Sequence, residues 1–438
     1  MRARSLAICF VGVFWLPSFV FAQNTRAERP YRGLFASGLT ETKQSLIVSA
    51  SAGGGYDDNL LLDASGIGGV GSVDPRIAKS GQLATVDGSI VYAYTGDRGS
   101  FGSSASSMLR YYTGQRDPSV AAHNANVRGT WRFGRRTTLA GRQSAAYQPY
   151  TFTSIFPTLI NPVLDEPAQI DIDQATSRRE YLSVDSAAEL QHSFNPRLDF
   201  NSGYNFQKSD TAFFGGGKFT RQGARAGIRY SLTRNLGLRA GYGYQEGRYP
   251  NSASVVQSHN IDAGIDYNRA LSFSRRTTVA FGTGTATVTD GTSTSYQATG
   301  FARVNHEMGR TWYVFGSYNR SVQFVDLLLV PVLYDSMETG LAGLLNRRVE
   351  FQTGLRASIG DVGLDDSLAS NDFDTFQAIT SISIAMTRFM QFGASYSFYR
   401  YRFEEGTRMP LGVPQNIDRQ SVRAQVSFWA PLIQRSRR

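Results

Sequence analysis

Arginine carries nearly all the positive charge of this chain. Of its 45 basic side chains only Lys43, Lys79, Lys208 and Lys218 are lysines. A guanidinium stays charged at any physiological pH and grips carboxylate or phosphate through paired hydrogen bonds. The arginines recur at even spacing within short segments, as in Arg221, Arg225 and Arg229, or Arg128 and Arg132. Arg110, Arg142, Arg239, Arg303, Arg356 and Arg423 occupy comparable positions in other segments. Acids of matching parity are Asp87, Asp185, Glu189, Asp199, Asp262, Asp266 and Glu350. If these groups share one surface, they form either a ladder of ion pairs or a field that attracts anions. The residue types leave both readings open.

Other chemistry finds little support. The four histidines, His123, His192, His259 and His306, have no metal spacing, and neither H-E-x-x-H nor C-x-x-C occurs. The one cysteine, Cys9, lies in an N-terminal apolar run. Gly53-Gly54-Gly55 and Gly215-Gly216-Gly217 lack the lysine and following helix of a phosphate loop. No basic and aromatic patch suggests nucleic acid. No enzyme, metal or cofactor is expected.

What must position the arginines is a set of strands. Alternation with period two recurs over ten to fifteen residues at a time, and helical periodicity is nearly absent. In Asn235–Gly247, Leu236, Leu238, Ala240, Tyr242 and Tyr244 alternate with Gly237, Arg239, Gly241, Gly243 and Gln245. In Arg221–Leu232, Ala224, Ala226, Ile228 and Tyr230 alternate with arginines, and the histidines fall on the apolar parity. Eighteen such segments are predicted, with sixteen as the alternative. Every second connection is short, for example 133–136, 195–197, 233–235, 309–310, 346–348 and 387–388. The intervening ones, 57–80, 151–178, 326–337, 361–373 and 404–416, are long. Short turns alternating with long loops, and Tyr and Phe near strand ends, are the layout of a transmembrane barrel with turns in the periplasm. The fold class is therefore all-β, a single antiparallel transmembrane β-barrel.

Residues 1–22 read as a cleaved export signal, with Arg2 and Arg4 before the apolar run Leu6–Phe21 and a cut after Ala22. A periplasmic segment 23–44, a barrel 45–429 and a short basic tail 430–438 follow. The tail is expected because Pro431 would end the last strand after Phe428-Trp429. The expected location is the outer membrane of a Gram-negative cell. Lipid, lipopolysaccharide and the barrel assembly machinery would then be the partners, with a polysaccharide or periplasmic export partner beyond them.

The formal charge is +10, with 18% charged residues against roughly 25% in average proteins. Its distribution is uneven: the turns are basic, the long loops acidic. By strand parity these arginines and acids point into the lumen. The connection 151–177 is unusual, because Ile155, Phe156 and Leu159 precede Asp165 and Glu166. Such a loop would either pack on the rim or fold inward as a constriction.

The element Gly55-Tyr56-Asp57-Asp58-Asn59-Leu60, following Ala50-Ser51-Ala52-Gly53-Gly54, resembles the type 2 group of β-barrel porins of Gram-negative bacteria. The similarity of layout covers about residues 45–429. It implies an outer-membrane channel associated with exopolysaccharide production, and hence export of a secreted, acidic polysaccharide. A passive porin for small solutes and a structural or adhesive barrel with a plugged lumen share the same features and remain open.

Overall fold

The computed structural model describes residues 42–59, 80–113, 119–151, 175–211, 217–233, 236–249, 255–267, 269–271, 274–290, 293–309, 311–324, 331–362, 372–404 and 415–436. The proposed export signal, nearly all of segment 23–44 and the five candidate constriction residues, Ile155, Phe156, Leu159, Asp165 and Glu166, lie outside these described residues.

Eighteen strands form one closed antiparallel sheet, counted among the described residues. They are β1 (Thr42–Asp57), β2 (Gly81–Thr95), β3 (Gly99–Tyr112), β4 (Ser119–Phe133), β5 (Thr137–Thr151) and β6 (Ala175–Asn195). Next come β7 (Leu198–Thr211), β8 (Gly217–Ser231), β9 (Leu236–Arg248), β10 (Val255–Tyr267, resumed at Arg269–Leu271), β11 (Ser274–Asp290) and β12 (Ser293–Met308). The last are β13 (Trp312–Phe324), β14 (Pro331–Asn346), β15 (Val349–Val362), β16 (Asp372–Thr387), β17 (Met390–Phe403) and β18 (Asn416–Ser436). Each strand pairs with its sequence neighbours, and β1 closes the barrel on β18 from Thr42↔Ser436 to Asp57↔Ser421. Sixteen strands are thereby excluded.

The turn end is made by local chemistry legible in the sequence. Asn195 accepts hydrogen bonds from the backbone N–H of Arg197 and Leu198, and Asn346 from that of Arg348. Gly134 and Gly309 take positive φ, 74° and 64°, in the β4–β5 and β12–β13 turns. Closure removes the free strand edges that would otherwise need partners.

The outer face carries the apolar residues. Exposed aromatics ring the turn end, among them Tyr94, Phe101, Trp131, Phe133, Tyr230 and Phe389. A second set, including Tyr56, Tyr111, Tyr147 and Tyr296, lies toward the loop end. On β3 the two are Phe101 and Tyr111, about 33 Å apart along a strand and roughly 25 Å in height at a typical tilt. That is the height of a barrel's lipid-facing band. All four histidines sit on this face, each against a cross-strand hydroxyl: Ser107, Thr137, Tyr242 or Thr277.

Two boundaries differ from the sequence reading. β14 starts at Pro331, so the loop predicted over 326–337 is shorter. Val332, Leu333 and Tyr334 are all buried, and a strand covered on both faces does not alternate. The last strand runs to Ser436, so 430–436 is wall and not tail. Pro431 is accommodated because Leu46 pairs with Ile433 and Ile47 with Pro431, which leaves Leu432 as the extra residue of a bulge. The β17 ladder ends at Met390↔Phe428, so the stretch around Pro431 pairs on one side only.

Candidate functional site

The lumen is built from the parity opposite to the exposed apolar residues. Arg110 on β3, Arg128 and Arg132 on β4, Arg142 on β5, and Arg221, Arg225 and Arg229 on β8 all belong to it. So do Arg239 on β9, Arg303 on β12, Arg356 on β15, and Asp185 and Glu189 on β6. Asp262 and Asp266 lie on β10, but their side chains fall outside the described ones.

These groups divide by depth. Toward the turn end Arg128, Arg132, Arg142, Arg229 and Arg303 are exposed to the lumen. Arg128 and Arg142 stand directly opposite each other across β4–β5, as do Arg229 and Arg239 across β8–β9. Like charges in that position repel, and Arg229 also has Asp199 directly opposite it across β7–β8. Glu189 is engaged by Arg225, whose Nη2 lies 3.1 Å from its Oε1, reaching over β7. Gly203 of β7 makes this crossing feasible, because a Cβ there would come within 3.0 Å of Arg225 Nε. The same arrangement recurs where Gly102 faces Arg128 and Gly264 faces Arg239. The guanidinium groups thus lie along the wall beside glycines.

Toward the loop end the inner face is apolar and packed. Leu83, Tyr112, Val120, Tyr399, Tyr401 and Phe403 are at most 4% exposed although they point into the barrel. Phe373 stacks on Phe403, and Tyr401 packs edge-on against both Tyr399 and Phe403. A second group, Phe219, Tyr249, Val256, Val288 and Phe324, joins β8–β11 to the end of β13. Arg110 and Arg356 are buried at this depth. Arg356 donates to Glu338 (3.1 Å) and to Gln377 (3.2 Å).

The Asp57-Asp58-Asn59 element has a structural task. Asp57, fully buried, accepts two hydrogen bonds from Arg419 Nε at 3.2 and 3.0 Å, and one from its Nη2. Asp58 accepts from the N–H of Gln420 and Asn59 donates to the carbonyl of Asp418. The motif therefore clamps the first strand to the last.

Arg419 and the inner aromatic layer were missed by parity reasoning. A signal exists in Tyr399-Arg400-Tyr401-Arg402-Phe403, where the apolar parity reverses relative to Phe392, Ala394 and Tyr396 lower on β17. Such a reversal marks the level where the outer face becomes wet and the inner face becomes dry. Among the described residues no cluster of three His, Cys, Asp or Glu could hold a metal.

No protein-family model matches the chain, and no curated protein matches it. Solved structures do. Pseudomonas aeruginosa OpdQ is 13% identical over 89% of this chain and 98% of its own, with a TM-score of 0.43. Pseudomonas aeruginosa OccK2 (OpdF), solved in complex with glucuronate, is 11% identical over 89% and 98%, with a TM-score of 0.45. The FrpB iron transporter of Neisseria meningitidis is 10% identical over 90% and 82%, also with a TM-score of 0.45.

Proposed function

We propose that this chain is an outer-membrane channel for small solutes and that it favours anions. The carrying observation is the inner wall of its turn-end half, where Arg128, Arg132, Arg142, Arg229 and Arg303 are exposed and Arg128 stands directly opposite Arg142. An aqueous path lined by guanidinium raises the local anion concentration and lowers that of cations. The apolar outer band and its two aromatic rings support residence in a bilayer. Lipid and lipopolysaccharide would surround the wall, and the barrel assembly machinery would insert it.

Export of an acidic polysaccharide draws less support. The inner face of the loop-end half is packed with side chains, which suits small solutes better than a bulky polymer. Liposome swelling with neutral and anionic solutes of graded size tests the reading. Entry of small dicarboxylates ahead of neutral sugars of equal size is expected. Equal exclusion of every small solute would overturn it and favour a plugged, structural barrel.

A further inference from the structure

Two strands open on the same sequence, and both copies meet a histidine on the outer face. Arg135-Arg136-Thr137-Thr138-Leu139-Ala140 runs from the turn into β5, and Arg275-Arg276-Thr277-Thr278-Val279-Ala280 runs into β11. Arg-Arg-Thr-Thr occurs nowhere else in the chain. Thr137 pairs with His192 of β6, and Thr277 with His306 of β12. The threonine Oγ1 lies 2.8 Å from Nδ1 of His192 and 2.7 Å from Nδ1 of His306. These four side chains share the parity of the exposed Leu139, Phe194, Val304 and Met308, and so face lipid. Directly above each pair stands an apolar one, Leu139↔Leu190 and Val279↔Val304.

Turn chemistry does not call for the arginines. Gly134 makes the β4–β5 turn at φ 74°, and arginine is not among the residues that turns select. Arg135 is exposed and, by continuation of the register, stands beside Phe194. Arg136 Nη1 donates to the carbonyl of Phe194 at 3.0 Å, and the Phe194 ring packs edge-on against His192, with centroids 4.7 Å apart. Each imidazole thus uses Nδ1 on its threonine, while Nε2 has no protein partner among the described residues. When the hydroxyl donates to Nδ1, the ring proton sits on Nε2, which becomes a donor for a group outside the chain. Thr137 is the first residue of β5, and His192 lies three residues from the end of β6. Both are within about 8 Å of the turns at typical rise and tilt, the headgroup level of that leaflet.

We propose that Arg135, Thr137 and His192 form a phospholipid site, which binds the phosphodiester of a glycerophospholipid in the leaflet at the turns. The Arg135 guanidinium takes phosphate oxygens and His192 Nε2 donates to another, a charge-assisted set. The acyl chains run up the wall over Leu139, Leu190 and Phe200, which pairs with His192. Thr277 and His306 form the second site, under Val279 and Val304. The proposal rests on residence in a bilayer and not on an open or selective lumen.

The chain carries a reporter at each place: Trp131 pairs with Leu139, and Trp312 with Met308. The refolded full-length protein, with Trp15→Phe and Trp429→Phe, is made in two forms that keep either Trp131 or Trp312. Bilayers of phosphate-free digalactosyldiacylglycerol hold it, with brominated phosphatidylglycerol as the quencher. Quenching should show the phospholipid at each tryptophan at least about threefold above its mole fraction, as expected for a cation at the headgroup level. Arg135→Gln with His192→Phe should abolish the enrichment at Trp131 and leave that at Trp312. Thr277→Val with His306→Phe should do the reverse. Should a double variant fail to assemble, judged by heat modifiability, Arg135→Gln alone carries the test. No enrichment in the parent overturns the site, as does enrichment that the variants leave intact or that one variant removes at both tryptophans. Excess inorganic phosphate should leave the enrichment in place; its loss would mean a site for free anions and overturn the lipid assignment. A chain that shows the enrichment without conducting would lose the channel reading and keep this one.

Discussion

Asp57 and Arg419 lie 362 residues apart in sequence and meet, buried, where the barrel closes. Their pairing could not be read from spacing, since a partner on the far strand depends on the register of the whole sheet. Breaking a buried pair from one side leaves an uncompensated charge and costs about 3–5 kcal/mol. Arg419→Met should therefore lower the urea midpoint of unfolding sharply. Adding Asp57→Leu to it should recover much of the loss, because neither charge is then buried alone. A double variant no more stable than the single one would show that the pair does more than close the seam. The inward parity of Arg225 and Glu189 was legible, but not the role of Gly203 between them. Gly203→Val should push the guanidinium off Glu189 and break the pair, read as a lower urea midpoint of unfolding with the barrel still assembled.

Elements were legible wherever one face is wet and the other meets lipid, as in β8 and β9, whose bounds follow from alternation. They were obscured where that contrast fails. β14 begins in residues buried on both faces, and β17 exchanges its dry face at Tyr399. The orientation of the elements has a direct check. With Cys9 replaced, Asn416→Cys at the loop end should react on intact cells with a membrane-impermeant thiol reagent, and Arg347→Cys in a turn should not. Reversed labelling would invert the assignment of turns to the periplasm. At the rim, Asp361 pairs with Asp372 across β15–β16. It stands roughly 30 Å above the turn end and so outside the lipid-facing band. Its carboxyl is pushed up to about 6 by burial first, then by its hydrogen bond to Asp372 and that residue's charge. A carboxyl raised in the folded state stabilises it only when protonated, so this contribution is full below about pH 4 and lost by about pH 6. Asp361→Asn should thus raise the melting temperature at pH 7.5 and not at pH 4. An equal gain at both values would assign the effect to packing.

For the molecule as a whole, strand number, closure and the inward parity of the arginines followed from the sequence pattern. The division of the lumen into a wet basic half and a dry apolar half did not. That division depends on which inner positions are covered, and alternation says nothing about cover. The central claim is that the exposed arginines set the selectivity of an aqueous path, and one measurement bears on it most directly. Single channels in a planar bilayer, under a potassium chloride gradient, should show a reversal potential of the sign for chloride selectivity. Substituting Arg128, Arg142 and Arg303 together by Gln should move it toward zero or beyond, because three positive charges leave the wetted wall. A cation-selective parent, or a reversal potential unchanged in the triple variant, would contradict the account.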